Sequence, residues 1–489
     1  MSLGANIIPN ILQTNAVNEN QATRVESVIL EADNHSWVQD QFGKTRFVLP
    51  KKATTLSPDG ALVFKVNWSA HTDNTRAATL PRLSGCAGLI SAARLYVGGR
   101  LLCETIEAGQ KVALDNYFLP YDSQTEILDV KLGGNHKFSY QSVANDGLLK
   151  LEADIVDAKA GFRGLITGTG GYSQECSVPL RALFPMLKDA VIPSSNALRG
   201  EIRAEIDWNG VWDDCIVESG EVFGAGHKKF DVSRPRLMLD YVAYSDEIAN
   251  ALNEQVNSQQ GIQVPYRQAV AVKSQMGVLT DMTDVQTHDW ELGFQDRSVM
   301  KIYLQKKLAA MDNLFQRKTR SDGLLQENHQ LTINNKTMYD RTIESFSEMY
   351  SHLSQTAERP FCNMAGTYGQ YGDLNNVNIF NDDVANGAGD GLVPTETAGV
   401  RANYQGAMRY GGFNLAQSRT GADVPSNAIN VGAAPMVLRI GRAGLSGGTD
   451  EKDGDDGAPD WDSAVNLTAW VECIKMLDIR NGVADTVEI

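Results

Sequence analysis

Basic residues are scarce relative to acidic ones in this chain of 489 residues. Lys and Arg number 44 against 60 Asp and Glu, which gives a formal net charge of -16. A surface with this balance repels phosphate backbones and offers no basic stripe to a nucleic acid. The composition therefore argues against direct nucleic-acid binding.

Long apolar runs are also missing. No stretch approaches the roughly 18 consecutive apolar residues that a membrane helix needs. Residues 1–21 lack the charged and apolar regions of a signal peptide. We therefore expect the chain to be made and kept in the cytosol.

Cysteine and histidine lack the spacings of metal sites and disulfide frameworks. The six cysteines form no C-x-x-C pair, and the seven histidines form no H-x-H or H-E-x-x-H motif. The glycine cluster at 168–173 lacks the Lys-Ser/Thr of a phosphate loop, and no G-x-S-x-G elbow occurs. We expect reduced, mostly buried thiols, and we predict no catalytic residue, no cofactor-binding residue, no metal ligand and no cofactor.

Acidic residues cluster in one stretch, 449–462, which reads TDEKDGDDGAPDWD. Seven carboxylates accompany the single Lys452, but their order does not match an EF-hand loop. A solvated surface loop is the simpler interpretation, and whether this segment binds an ion stays open.

The chain is rich in the alternating pattern of β-strands. Ile202, Ala204, Ile206 and Trp208 alternate with charged residues, which indicates a half-buried antiparallel strand. Further strands are predicted at 44–50, 62–68, 90–104, 174–181, 235–244, 264–273, 299–305, 330–334, 435–440 and 467–479. Because strands do not alternate with long crossover helices, sandwiches or jelly rolls are favoured over doubly wound folds.

Short patterns recur about 236 residues apart, in the same order. LVFKVN at 62–67 returns as SVMKIY at 298–303, and Leu95 with its Gly-Gly turn returns as Leu331 with an Asn-Asn turn. Arg203 matches Arg439 at the same spacing, and 237–242 matches 475–480 at a spacing of 238. We infer a tandem duplication of one domain of about half the chain.

Helices and loops follow the same duplication. The apolar residues of 342–355 have helical spacing directly after the second turn, and 105–118 occupies the matching place in the first copy. The irregular stretches are expected to be surface loops. They are 120–150, 157–173, 357–412 and 442–463.

Three stretches carry a family resemblance. Residues 178–208 combine a Pro-Leu strand, a short apolar helix, an Ile-Pro turn and an alternating strand, 234–248 combine an apolar strand with an acidic helix start, and 330–353 combine strand, turn and helix. In this order they resemble the double jelly-roll major capsid proteins of eukaryotic DNA viruses, which include polinton-like viruses, virophages and nucleocytoplasmic large DNA viruses. Ile248 after Glu247, and VPSNAINVG at 424–432, depart from the giant-virus pattern and favour a smaller relative.

The resemblance implies an all-β chain of two tandem eight-stranded antiparallel jelly rolls with short helices and long surface loops. We predict an N-terminal arm at 1–25, a first jelly roll at 26–255 and a second jelly roll at 256–489. The implied function is that of a major capsid protein without enzymatic activity, which assembles as pseudo-hexameric homotrimers into an icosahedral shell. The loops at 357–412 and 442–463 would then form an outward tower.

The resemblance also implies partners and a location. The partners are other copies of the chain, penton proteins and minor capsid proteins, with contact to an internal membrane left open. The location is the virion, after synthesis in the host cytoplasm. Two alternatives are a two-domain β-sandwich hydrolase or oxygenase, which would need metal ligands or paired carboxylates, and a carbohydrate-binding adhesin, which would need an exposed aromatic platform.

Overall fold

The computed structural model describes most of the strands and the turns that join them. The described residues are 22–52, 54–68, 77–80, 84–117, 140–142, 149–151, 166–167, 172–219, 229–280, 284–309, 321, 324, 327–344, 346–356, 410–416, 428–443 and 464–488. The acidic segment 449–462 and Cys362 lie outside them, as does nearly all of the predicted tower.

The first half of the chain forms two antiparallel sheets that enclose a core. One sheet has the order β12-β5-β16-β4-β13 with β1 beside β16, and the other has the order β2-β3-β14-β7-β8. Strands distant in sequence lie side by side, as in a jelly roll. The strands are β1 (Ala22–Glu31), β2 (Asn34–Ser36), β3 (Phe42–Leu49), β4 (Thr55–Leu56), β5 (Ala61–Trp68), β6 (Ala77–Thr79), β7 (Ile90–Val97), β8 (Arg100–Ile106), β9 (Tyr140–Ser142), β10 (Leu149–Leu151), β11 (Ile166–Thr167), β12 (Tyr172–Pro179), β13 (Ile192–Pro193), β14 (Ile202–Asn209), β15 (Val217–Ser219) and β16 (Phe230–Tyr244).

The second half repeats this architecture. Its sheets have the orders β17-β25-β19-β22, with β23 beside β19 and β26 beside β25, and β18-β24-β20-β21. The strands are β17 (Ile262–Met276), β18 (Val285–Gly293), β19 (Ser298–Leu308), β20 (Asn328–Ile333), β21 (Lys336–Thr337), β22 (Gly411–Asn414), β23 (Ile429–Asn430), β24 (Met436–Ala443), β25 (Val465–Arg480) and β26 (Val483–Glu488).

The two rolls share one strand plan. In the first roll, four strands of one sheet, β1-β16-β5-β12, face four of the other, β3-β14-β7-β8; in the second roll the matching sets are β17-β25-β19-β22 and β18-β24-β20-β21. Each roll therefore has eight principal antiparallel strands. The predicted all-β double jelly roll is confirmed, and the two rolls repeat one strand order, as the tandem duplication predicts.

The repeated hairpin turn explains why Gly-Gly in one copy can stand for Asn-Asn in the other. Gly98 and Gly99 have φ of 58° and 82°, and Asn334 and Asn335 have φ of 50° and 61°. Two consecutive positive φ angles define the tight hairpin turn that matches strand twist, and Gly and Asn tolerate it best.

Pairing registers refine the sequence repeat. Leu95 pairs with Ala204 in the first roll, whereas Leu331 pairs with Leu438 in the second. Measured on this ladder, β14 and β24 are therefore offset by 234 residues, two fewer than the match of Arg203 with Arg439 indicates. An even displacement leaves the inward-facing side chains inward, so the core tolerates it.

The helices are short, and the two predicted after the repeated turns are present. The α-helices of the described residues are α1 (Ala108–Tyr117), α2 (Leu180–Leu183), α3 (Trp212–Cys215), α4 (Asp246–Asn257) and α5 (Phe346–Thr356), and the 3-10 helices are η1 (Gly85–Leu89) and η2 (Pro185–Lys188). α1 and α5 are the predicted pair, and they follow the first and second hairpin respectively.

The core confirms the alternation in β14. Ile202, Ala204, Ile206 and Trp208 are all buried. The Trp208 indole packs edge-on against Phe64 with ring centroids 4.8 Å apart, and its N–H donates to Thr45 Oγ1 at 2.6 Å. The largest side chain of this strand thus fills the space between the sheets without leaving a polar atom unpaired.

Some elements differ from the sequence prediction at the edges of the rolls. Residues 22–25 belong to β1, although we placed them in the arm, and the predicted boundary at 255 falls inside α4. β1 and β18 escaped prediction because both carry large exposed apolar side chains, among them Ile29 and Val285, which break the usual alternation.

Candidate assembly interface

The two rolls meet through an apolar contact that joins both cores. Tyr266 and Trp470 of the second roll are buried in the same cluster as the first-roll core. The Tyr266 hydroxyl donates to the backbone carbonyl of Leu102 on β8 at 2.6 Å, and Gln268 Nε2 donates to the Glu104 carbonyl at 3.2 Å. The free edge of β8 is therefore covered by side chains of the second roll.

A cluster of charges around one buried lysine crosses the same contact. Lys111 on α1 is 1% exposed, and its ammonium group lies 2.5 Å from Asp115 and 3.5 Å from Glu472 on β25. Lys188, at the end of η2, lies 3.3 Å from the other oxygen of Asp115. Because the buried Lys111 ammonium group meets a carboxylate from each roll, this geometry fixes how the second roll sits on α1.

The pKa values of this cluster reflect the pairing. Burial alone would raise the pKa of Asp115, but Lys111 and Lys188 lower it to about 2. Burial would likewise raise the pKa of Glu472, but Lys111, Lys301 and Arg267 hold it below its usual range. Burial would lower the pKa of Lys111, but Asp115 and Glu472 raise it. All three groups are therefore charged at neutral pH.

A second ion pair holds β17 against η2. Arg267 forms a two-pronged contact with Asp189, with Nη2 to Oδ1 at 2.8 Å and Nε to Oδ2 at 2.9 Å, and its backbone N–H also donates to Oδ2 at 2.8 Å. The Asp189 side chain is 3% exposed. Bidentate pairing of this kind fixes both distance and orientation.

The rolls stand in the same orientation. At one end, which we call the turn end, Arg199 N–H donates to the carbonyl of Gly482 in the β25–β26 hairpin at 2.6 Å. Toward the other end, Lys273 near the end of β17 lies 2.5 Å from Glu107 at the end of β8. Strands β5, β19 and β24, which precede 69–76, 310–320 and 444–463, all end at this second end.

A buried polar cluster lies within the second roll itself. His329 Nε2 lies 2.8 Å from Glu327 Oε1, and Lys306 pairs with the same carboxylate. Burial and the neighbouring Lys306 lower the pKa of His329, while Glu327 opposes the shift. The imidazole is therefore neutral at neutral pH.

A polar pocket of about 480 Å³ opens at the turn end of the first roll. Its lining includes Lys51, Lys52, Ser195 and Asn253. Lys52 is bonded to Glu26 at 2.8 Å, and Ser195 to Asn253 at 2.6 Å. Lys52 and Ser195 therefore already donate to other side chains of the same chain.

The outer face of the β1–β16 pair carries three large apolar side chains that are exposed among the described residues. Val25 is 60% exposed, Ile29 61%, and Met238, which pairs directly with Ile29, 48%. Large apolar side chains grouped on one sheet face mark an interaction surface more often than scattered ones do.

The absence of catalytic, cofactor-binding and metal-ligating residues stays a prediction. Across the described ranges, no group of three His, Cys, Asp or Glu side chains is placed to hold a metal ion. Across the same ranges, no helix has the length and apolar character to cross a membrane. Five of the six cysteines are described, and all five are buried free thiols: Cys86, Cys103, Cys176, Cys215 and Cys473.

Sequence reasoning missed the charged residues of the roll contact. Lys111, Glu472 and Arg267 are ordinary polar residues of a helix and of two strands when viewed in sequence. Their role in the roll contact becomes evident only in the structure, where each lies against an oppositely charged residue from a distant segment. Lys111 lies in the stretch 105–118, where the duplication predicts a helix, so the duplication was the available pointer to it.

Solved structures with the same fold are virus capsid proteins. The Sputnik virophage structure is 14% identical, with a TM-score of 0.54, and covers 96% of this chain and 89% of that chain. The mavirus major capsid protein is 11% identical, with a TM-score of 0.52, over 94% and 90% of the two chains. The PBCV-1 virus capsid is 10% identical, with a TM-score of 0.52, over 95% and 97%. The chain thus has the fold of double jelly-roll capsid proteins along nearly its whole length.

No family model and no curated protein matches the chain.

Proposed function

We propose that the chain is a major capsid protein, a structural building block that assembles as a pseudo-hexameric homotrimer into an icosahedral virus shell. The observation that carries this proposal is the alignment of both rolls, over more than nine-tenths of the chain, with capsid proteins of similar length. The comparisons favour this function over a β-sandwich hydrolase or oxygenase and over an adhesin. The role is structural rather than enzymatic.

The architecture supports a trimer on physical grounds. Two similar rolls, locked in one orientation by buried ion pairs, give each copy two similar walls. Three copies arranged around a threefold axis then present six similar walls and close without a free edge. The partners are further copies of the chain, penton proteins and minor capsid proteins, and the location is the virion, after synthesis in the host cytoplasm.

The proposal is tested by the mass of the purified full-length chain. Light scattering behind a sizing column, at moderate salt, should give a species near three times 53.3 kDa or particles built from it. Electron microscopy of the heavier fractions should show hexagonal arrays or closed shells. A monomer at every concentration that can be reached would contradict the proposal.

A further inference from the structure

The polar pocket at the turn end of the first roll lies where three distant segments converge. Residues 51–52 follow β3, residues 194–197 follow β13, and the third wall is the last turn of α4, with Asn253 and Asn257. Its volume of about 480 Å³ leaves room for a small ionic group together with bound water.

Hydrogen bonds between the segments hold the walls of the pocket in place. The Lys51 ammonium group donates to the backbone carbonyl of Leu198. Ser195 Oγ donates to Asn253 Oδ1 at 2.6 Å, which joins the second segment to α4. The walls are therefore fixed by the chain itself, and a ligand would not have to order them.

These bonds use up acceptors and leave donors. Lys51 and Lys52 each spend one of three N–H groups on an acceptor of the chain. Asn253 turns its Oδ1 to Ser195, so its Nδ2 group is left, and no described residue accepts a bond from it. The lining thus offers the cavity an excess of N–H donors, and two of its residues carry a positive charge.

The negative groups next to the pocket are already paired. Glu26 lies 2.8 Å from Lys52 and 3.6 Å from Arg24, so one carboxylate is shared between two cations. At the end of α4, the Val256 carbonyl accepts a bond from the Gly482 N–H at 2.8 Å. The lining itself contains no acidic residue. An anion in the pocket would therefore meet donors rather than unpaired carbonyl groups.

We propose that this pocket binds a phosphate group, with Lys51 and Lys52 opposite its charge and Asn253 Nδ2 donating to one of its oxygens. A phosphate brings several strong acceptors and up to two negative charges, which matches a lining rich in donors and poor in acceptors. The group can belong to a free phosphate ion or to a lipid headgroup, because both present the same oxygens.

The position of the pocket bears on where the phosphate would come from. The turn end lies opposite the end at which β24 leads into 444–463, part of the predicted tower. Under the proposed function the pocket therefore faces the interior of the shell. Phosphate binding itself does not depend on that function, so the two can fail separately.

Calorimetric titration of the full-length chain with inorganic phosphate, at an ionic strength held constant with sodium chloride, tests the site. Wild type should bind phosphate saturably at one site. Lys51→Gln and Asn253→Asp should each raise the dissociation constant by about fivefold or more. Asn253→Asp keeps the acceptor for Ser195 Oγ and replaces the free donor with a charged oxygen, so it changes the pocket and preserves its wall.

Lys336→Gln is the matched control. Lys336 is exposed in the β20–β21 hairpin of the second roll, and its replacement lowers the net charge by one, as Asn253→Asp does. The dissociation constant of this variant should stay within about twofold of wild type. Melting temperatures without phosphate show that each variant is folded.

Vesicles separate the two sources of the phosphate. The chain is mixed with vesicles of phosphatidylcholine alone, or with about one fifth phosphatidic acid, whose headgroup is a phosphate monoester. Flotation with the second kind only, lost in Asn253→Asp and kept in Lys336→Gln, assigns a lipid headgroup. Calorimetric binding without flotation assigns a free phosphate. Both results support the site.

Three results would overturn the site. They are the absence of saturable phosphate binding in wild type, dissociation constants in Lys51→Gln and Asn253→Asp equal to that of wild type, and an equal loss of affinity in Lys336→Gln. The last would show that net charge alone attracts the ion. A chain that forms trimers and shells without binding phosphate would leave the proposed function intact.

Discussion

At the scale of single residues, the roll contact depends on an ammonium group that solvent does not reach. Lys111→Met should lower the free energy of unfolding by about 3 kcal/mol, because it leaves the Glu472 carboxylate beside Asp115 without the cation that lowers its pKa most. Urea unfolding at pH 7 measures the loss.

Lys273→Met provides the matched control at the same contact. Its ammonium group is bonded to Glu107 at 2.5 Å, but the side chain is 54% exposed. Water replaces such a partner readily, so the loss should stay below about 1 kcal/mol. Equal losses in the two variants would show that burial of Lys111 contributes nothing.

His329 makes the stability of the second roll sensitive to acid. Its pKa is lowered in the folded chain, first by burial, whereas in the unfolded chain it returns to about 6.5. Below that pH the unfolded state binds a proton that the folded state does not, so stability falls as the pH falls from 7 to 5.

His329→Gln should remove this contribution. The variant should lose less melting temperature between pH 7 and pH 5 than wild type does, as measured by calorimetry in matched buffers. Glu327 contributes little to this slope, because its lowered pKa keeps it charged in the folded state and its ordinary pKa of about 4.5 keeps it mostly charged in the unfolded state over this range. Parallel curves for variant and wild type would contradict the assignment.

At the scale of elements, the β25–β26 hairpin reaches across to the first roll. Gly482 has φ of 75°, and a Cβ there would lie 2.6 Å from the carbonyl oxygen of Ala197. Gly482→Ala should therefore add a steric clash to the strain of a left-handed residue and cost about 3 kcal/mol.

Gly99→Ala isolates the strain alone. Gly99 has φ of 82°, but nothing lies within 4 Å of the added Cβ. The expected cost is about 1 kcal/mol, measured by the same urea unfolding. A smaller loss for Gly482→Ala than for Gly99→Ala would mean that the hairpin does not press on the first roll.

Strands could be predicted from the sequence where one face is buried and the other is exposed to solvent. β14 shows this pattern, and its four inward residues were identified from alternation alone. β1 was missed because Val25 and Ile29 are apolar on the face away from the core. In an assembly that covers this face, both faces of β1 would be buried, and the strand would lose the alternation on which the prediction depends.

The candidate site was less predictable for a related reason. The tandem repeat located α1 and α5 but said nothing about Lys111 facing Glu472, because a contact between residues so far apart depends on how the rolls dock. The two-residue register difference between β14 and β24 shows the same limit. Short matching sequence segments show which side chains share a face of the sheet, but they do not determine which residues pair across strands.

At the scale of the whole molecule, the two rolls should unfold as one unit. The first-roll core continues into Tyr266, Trp470 and Leu477 of the second roll, and the buried ion pairs span the same contact. Separating the rolls would expose this apolar surface and unpaired charges together, so neither roll gains by unfolding alone.

Hydrogen exchange of the full-length chain measures this coupling. Peptides from β14 and β24 should open with the same free energy in wild type, since both wait for the shared transition. In Lys111→Met the contact is weakened, and the two peptides should separate because each roll then opens on its own. Different opening free energies already in wild type would mean that the two rolls unfold independently. The ion pairs between them would then orient two domains without making their unfolding cooperative.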